Sequence, residues 1–331
     1  MFKNKTILIT GGTGSFGKAF VKYLIKNFKG FKKIIIFSRD ELKQFEMSNE
    51  INEKKYPFIR YFLGDVRDQA RFKRSLEGVD YVIHTAALKQ VPAAEYNPFE
   101  VIKTNINGAQ NIVESCLDSN VKKVIALSTD KAVAPLNLYG ATKLCSDKLF
   151  ISANNILGKR DLSFSVVRYG NVMGSRGSVI PLFLEQKKSG TIKITDSRMT
   201  RFNISMEDSI KMVLWSLKNS IGGEVFVPKI PSYNIVDLAK AVAPDCKIKY
   251  IGLRPGEKLH EELISTGESY NTIDLQKYYA ILNYGEELER RYLKNKKFKK
   301  VKNEFSYSSG NNIDFLSVSK LIGLMQKSKL I

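Results

Sequence analysis

The chain has 331 residues, 43% of them hydrophobic, which suffices for one large α/β unit or a main unit with a smaller partner. No run approaches the roughly 18 to 20 apolar residues of a membrane span, and Met1-Phe2-Lys3-Asn4-Lys5 leads into a strand without a signal-peptide core, so a cytoplasmic protein is expected. The net charge of +20 admits a nucleic-acid surface, but the lysines are interspersed with Glu and Asp and the densest run, Lys294 to Lys302, is short, which favours an enzyme whose ligands carry phosphates.

In chain order, β-branched apolar runs alternate with helix-period segments. Thr6 to Thr10 reads as a strand, Phe16 to Asn27 as a helix, Lys33 to Phe37 as a strand, and a helix follows from about Asp40. Further strands are predicted at Ile59 to Leu63, Tyr81 to His84, Val124 to Leu127 and Phe164 to Arg168, with helices at Thr104 to Asp118 and Tyr139 to Asn154. This βαβ alternation predicts a doubly wound, Rossmann-type parallel sheet. After Asn171 the rhythm loosens: Gly174 to Gly177 and Pro181 introduce a loop and helix, Met199 to Phe202 follows, and Gly222 to Pro228 reads as one more buried strand. Residues 1–170, with returning segments near 203–228, are expected to form the dinucleotide domain and 171–331 mainly a substrate-binding cap, with a ligand cleft between them. Cys116, Cys145 and Cys246 lack metal-site spacing and, with only His84 and His260, support neither a disulfide framework nor any metal site; the thiols are expected reduced and buried. His84, at a strand end, reads as a buried structural histidine, and His260 as an exposed one.

The first strand runs into Gly11-Gly-Thr-Gly-Ser-Phe-Gly17. Glycines at 11, 14 and 17 between strand and helix allow the tight turn and close helix packing, and with Thr13, Ser15 and Phe16 they predict a dinucleotide pyrophosphate at the helix N-terminus. At the end of the second strand, Ser38, Arg39 and Lys43 favour the 2′-phosphate of NADP, whereas Asp40 in a slipped register would suit the ribose of NAD. Asp65 and Val66 are candidates for the adenine edge, with a helix N-cap the equal alternative for Asp65. Ala86, just beyond the fourth strand, joins the cofactor wall.

Tyr139 and Lys143 are four apart at the start of a helix and share a face. A lysine beside a phenol favours the phenolate, lowering a pKa that starts near roughly 10 and making Tyr139 a base for a substrate hydroxyl. Ser128 and Thr129 add hydroxyls near the same reacting oxygen. For a substrate diphosphate, Asn171, Arg201 and Arg254 are the candidates, because a diphosphate asks for guanidinium forks and donors; Lys89 and, more weakly, Lys103 stand near the same loops.

Thr10 to Gly17, Asn105, Ser128-Thr129, Tyr139 with Lys143, and Arg168-Tyr-Gly-Asn-Val172 together resemble the extended short-chain dehydrogenase/reductases that modify nucleotide sugars, over nearly the whole chain. Within that family, Thr129-Asp130-Lys131, Ser38 to Lys43, Leu138 to Lys143 and Arg254 to His260 resemble the inverting UDP-N-acetylglucosamine 4,6-dehydratases that begin pseudaminic acid synthesis. The resemblance implies a UDP-sugar substrate, an internal NADP redox cycle and a homo-oligomer. It also implies Asp130 as acid for the departing 6-hydroxyl, Lys131 as base at C5, and Glu257 as a contact to ribose or uracil. Lys131 must then be neutral, which is expected to follow from burial and from the positive charges of Lys143 and the nicotinamide. A retaining dehydratase, a UDP-sugar C4 epimerase and a noncatalytic NADP-sensing or RNA-binding protein are the alternatives.

Overall fold

Strands buried on both faces become near-continuous apolar runs, and helical returns force them to lie parallel. The computed structural model describes residues 1–175, 177–282 and 286–331. It contains β1 (Thr6–Thr10), β2 (Lys33–Ser38), β3 (Ile59–Leu63), β4 (Tyr81–His84), β5 (Lys123–Thr129) and β6 (Ser163–Tyr169), within a residue or two of the predicted bounds. They pair in parallel in the order β3-β2-β1-β4-β5-β6. Chain direction across the sheet reverses between β1 and β4, so a crevice opens beyond their carboxyl ends.

Past β6, β7 (Asn171–Val172) and β8 (Thr191–Ile194) leave the sheet, and β9 (Thr200–Ile204) pairs with β7. β10 (Glu224–Pro228) then returns parallel to β6. The strands Tyr278–Leu282, Thr272–Asp274 and Lys299–Lys300 extend the sheet antiparallel, so it draws on more of the chain after residue 170 than the segments near 203–228. A second apolar cluster, including Phe183, Ile192, Leu238, Leu321 and Met325, forms a separate small core for the segments that stay outside. Of the Gly174-to-Gly177 stretch expected to be loop, Arg176 lies outside the described residues. Among the described residues no helix is long and apolar enough to cross a membrane.

Several local expectations change. The helix predicted from Thr104 starts as a π-helical turn, Lys103–Asn107, before α-helix Gly108–Leu117. There the buried Asn105 side chain bonds both backbone groups of Leu88 and, at 3.0 Å, Thr142 Oγ1, so the loop after β4 and the helix Leu138–Ser152 share one anchor. All three cysteines are free, but only Cys116 is fully buried. His260 is half-buried and bonded through Nδ1 to Thr200 Oγ1 at 2.8 Å, not simply exposed.

His84 is buried as expected, its Nδ1 2.8 Å from Thr10 Oγ1 where β1 and β4 adjoin. Burial, aided by the charge of Lys143, lowers its pKa to about 3. Below its ordinary value near 6.5 the unfolded chain takes up a proton that the fold refuses, so stability is fully present above that pH and lost as pH falls. Between pH 6.5 and 5 the loss is about 2 kcal/mol. Denaturant unfolding at pH 7 and pH 5 should show this drop in the native chain and a smaller one in His84→Gln; equal drops would remove His84 as a cause.

Arg168, 2% exposed on β6, ties three segments together. Nη1 donates to Leu263 O (3.2 Å) and to Glu268 (2.9 Å), and Nη2 lies 3.7 Å from Asp147 on the helix Leu138–Ser152. Arg168→Leu leaves two carboxylates without their cation and is expected to cost about 3–5 kcal/mol in unfolding free energy.

Candidate active site

The carboxyl ends of β1, β4, β5 and β6 open into a cleft of about 1080 Å³. At its floor Gly11 adopts φ +62°, and a Cβ there would come within 2.8 Å of Ala86 N and 2.9 Å of Thr85 Oγ1. The helix Ser15–Asn27 begins at Gly14 with no side-chain cap and no acidic residue in its first turn, so its free N–H groups meet the cleft with nothing negative beside them. This cradle fits a pyrophosphate, and Thr13, Gly14, Ser15, Phe16 and Gly17 all line it.

Ser38, Arg39, Asp40 and Lys43 line the far end of the same cleft with Asp65 and Val66. Ser38 Oγ is 2.8 Å from Thr13 Oγ1. Asp40 caps the helix Glu41–Glu50 by accepting from Lys43 N–H (3.0 Å), and its carboxylate also pairs with the Lys43 ammonium. Lys43, expected to reach a phosphate, is thus paired within its own turn, and Asp40 is turned to the helix. Asp65 accepts from Arg67 N–H and guanidinium and lies 3.6 Å from Arg39. The helix N-cap is Asp68, so the capping alternative for Asp65 falls away.

The turn Asp130–Ala132 follows directly from β5, with Thr129 Oγ1 accepting from Lys131 N–H. The helix Leu138–Ser152 packs so closely on this turn that a Cβ on Gly140 would lie 2.2 Å from Lys131 O. Asn137 caps that helix through Gly140 N–H and donates to Gly256 O (2.9 Å), which brings the Arg254-to-Glu257 loop to the same wall. Tyr139, Lys143, Thr129 and Lys131 therefore line one cleft with Asn171, Lys89, Arg254 and Glu257. Asp130 does not line it: its side chain is fully buried behind Thr129 and Lys131, with Oδ1 accepting from Thr129 Oγ1 at 2.9 Å.

Electrostatics corrects two expectations. Burial pushes the Tyr139 phenol up to about 12, and the influences that favour its phenolate are the charge of Lys131 and a hydrogen bond from Thr129, not Lys143. Lys143 Nζ donates to Leu127 O at 2.8 Å; burial lowers its pKa, and Asp147, itself bonded to Ser128 Oγ at 2.6 Å, partly restores it. Lys131 was expected to lose its charge. Burial does oppose the ammonium, but Asp130 (3.1 Å) and Glu261 (3.1 Å) flank it and outweigh burial, raising its pKa. Burial raises the Asp130 carboxyl, in the direction an acid requires.

Arg201 also differs from its expected role. It is 7% exposed, and its guanidinium donates to the carbonyls of Thr200, Leu259 and Lys258, so it fastens the 257–261 segment more than it offers donors to a diphosphate. Arg254 is exposed, and among the described residues its guanidinium has no hydrogen-bond or ion-pair partner. Among the described residues no group of His, Cys, Asp and Glu side chains has the arrangement of a metal site. Glu261 and Asp147 escaped the sequence reading: nothing in the order of residues separates buried Glu261 from Glu262 beside it, or Asp147 from the other polar residues of its helix.

Residues 7–283 match the family described as polysaccharide biosynthesis protein, and the chain belongs to that family. A UDP-N-acetylglucosamine 4,6-dehydratase (inverting) of Campylobacter jejuni is 53% identical, with 99% of each chain covered. A UDP-glucose 4-epimerase of Rickettsia bellii is 46% identical over 87% of this chain and 86% of that one. Among solved structures, Pen from Bacillus thuringiensis superposes with a TM-score of 0.89 at 37% identity over all of both chains.

Proposed function

We propose that this member of the polysaccharide biosynthesis family is a C5-inverting UDP-N-acetylglucosamine 4,6-dehydratase. The observation that carries the reading is the Asp130–Lys131–Glu261 ion cluster, whose Lys131 and Glu261 line the cleft with Tyr139 while Asp130 lies buried behind them. A C4 epimerase needs a hydroxyl base and a hydride carrier, but no second acid and base for elimination. The relative from Campylobacter jejuni, matched end to end, supports the same choice.

The sheet unit is assigned the dinucleotide and the smaller unit the sugar nucleotide. A dinucleotide whose pyrophosphate lay in the Gly11-to-Gly17 cradle would supply, through its nicotinamide, a hydride acceptor and, later, a hydride donor. Tyr139, once ionised with the help of the Lys131 charge and the Thr129 hydrogen bond, accepts the proton of the sugar 4-hydroxyl, and Lys143 stands on the same helical face, bonded to Leu127 O. Oxidation at C4 makes the C5 hydrogen acidic. Transfer of the Lys131 ammonium proton to Asp130, 3.1 Å away, leaves the amine, which removes that hydrogen as a proton; the C5–H electrons form the C5–C6 double bond while the C6–O bond breaks. The departing oxygen takes a proton that originates on Asp130 and leaves as water. Because Asp130 is buried, Thr129 Oγ1, bonded to it and lining the cleft, is the atom through which that proton travels. Hydride then returns to C6, and a proton drawn from solvent adds to the opposite face of C5, which inverts that centre. Asn171, Arg254, Lys89 and Glu257 are assigned to the nucleotide end, with Arg201 holding their segment in place.

NADP is the proposed cofactor, supported by the exposed Arg39 and by Asp40 being committed to its helix cap. The motif resemblance also supports a cytoplasmic homo-oligomer acting at the start of pseudaminic acid synthesis. Arg39→Ala should weaken NADP by about tenfold or more, the worth of a charge-assisted hydrogen bond, and leave NAD nearly unchanged in calorimetric titration. Equal losses for both cofactors would take Arg39 away from the 2′-phosphate.

The function is tested by incubating the chain with UDP-N-acetylglucosamine in heavy water and analysing the product by mass spectrometry and proton NMR. A 4-keto-6-deoxy sugar with deuterium at C5 and L-arabino geometry is expected, and Lys131→Ala should abolish it. Retained D-xylo geometry would make the enzyme a retaining dehydratase. An unchanged mass with C4 inverted and no deuterium at C5 would make it an epimerase.

A further inference from the structure

Glu261 stands immediately beyond the Arg254-to-His260 motif and is 3% exposed, yet it forms part of the cleft wall. Its Oε1 lies 3.1 Å from Lys131 Nζ and 3.8 Å from Arg201 Nε, while Oε2 is buried without a hydrogen-bond partner. The backbone is clamped on both sides: its N–H donates to Ser309 Oγ (2.9 Å), and its carbonyl accepts from Ser309 N–H (2.8 Å). The other charged and titratable groups around the cluster include Asp130 on the turn, Arg201 on β9, Glu257 and Lys258 on the preceding loop, Tyr139 on its helix, the buried Tyr233 on the strand paired with β9, and Lys89 on the loop after β4, which feels the charge of Lys131.

If this carboxylate served only to fasten two segments, it would be redundant. Arg201 already binds the segment through the backbone carbonyls of Lys258 and Leu259, and Ser309 holds Glu261 itself. Burying a charge with one oxygen left open is costly unless the charge is used. We propose that Glu261 is a positioning residue for the acid–base pair: it holds the Lys131 amine on the cleft side of Asp130 and, by its negative charge, governs when both members of the pair give up their protons. The inference rests on the dehydratase reading and deepens it.

A negative charge facing both groups makes each hold its proton more tightly, in agreement with the upward direction found for Asp130 and Lys131. Removing it should move both ionisations the same way. The test compares the native chain with Glu261→Gln and Glu261→Asp in two measurements: the pH profile of kcat for 4-keto product formation from UDP-N-acetylglucosamine, and the rate at which acetic anhydride acylates Lys131, followed by peptide mass. In Glu261→Gln both limbs of the profile should shift to lower pH, the alkaline limb by about one unit or more, and Lys131 should acylate about tenfold faster at pH 8. Glu261→Asp should restore part of each effect. A profile and an acylation rate that stay where they were, with only the melting temperature lowered, would make Glu261 a structural brace and overturn the proposal. If the native chain forms no keto product, the dehydratase reading falls, while the acylation measurement still decides whether Glu261 governs Lys131.

Discussion

The close approach of the helix Leu138–Ser152 to the turn after β5 is the constraint on which the site depends. Without a side chain at Gly140, the helix comes to rest against the Lys131 carbonyl and Pro135, which brings Tyr139 and Lys131 to the same wall of the cleft. Any larger residue would force helix and turn apart, because packed interiors yield little to an added methyl group. Behind that contact a buried polar layer holds both pieces from the rear: Ser128 to Asp147, Asp147 to Arg168, and Arg168 to Glu268. The candidate catalytic side chains thus project from elements that are braced twice.

Most of the sheet was legible because a parallel strand must be apolar throughout, and runs such as Ile34 to Phe37 and Val124 to Leu127 announce themselves. The glycine cradle was legible for the same kind of reason, since Gly11 must accept a positive φ beside Ala86. The antiparallel extension by Thr272–Asp274 and Tyr278–Leu282 was not read, because its pairing to β10 is set by contacts distant in sequence. The π-helical turn at Lys103–Asn107 was hidden too: it arises where Asn105 is drawn toward Leu88, a tertiary demand that periodicity does not record.

In the site, sequence order showed which residues gather but misjudged their electrostatics. Tyr139 and Lys143 share a helical face as spacing required, yet burial dominates the phenol, and the lysine turns to a backbone carbonyl. Lys131 illustrates the limit best. Burial and the charges of Lys143 and the nicotinamide were expected to neutralise it, whereas folding delivers Glu261 to its other side and, with Asp130, surrounds it with negative charge. Long-range pairing of charges leaves no trace in local spacing.

That same pairing dictates an order in which competence is acquired as the chain is made. The glycine cradle and its wall at Ala86 lie within the first hundred residues and belong to strands that pair with one another. The proposed chemistry waits for a carboxylate supplied by a segment that is itself clamped by Ser309, close to the end of the chain. Synthesis proceeds from the N-terminus and domains fold as they emerge. A chain that lacks its last segments therefore carries the residues of the dinucleotide cradle without the clamp on the carboxylate that, on the roles proposed above, governs Lys131.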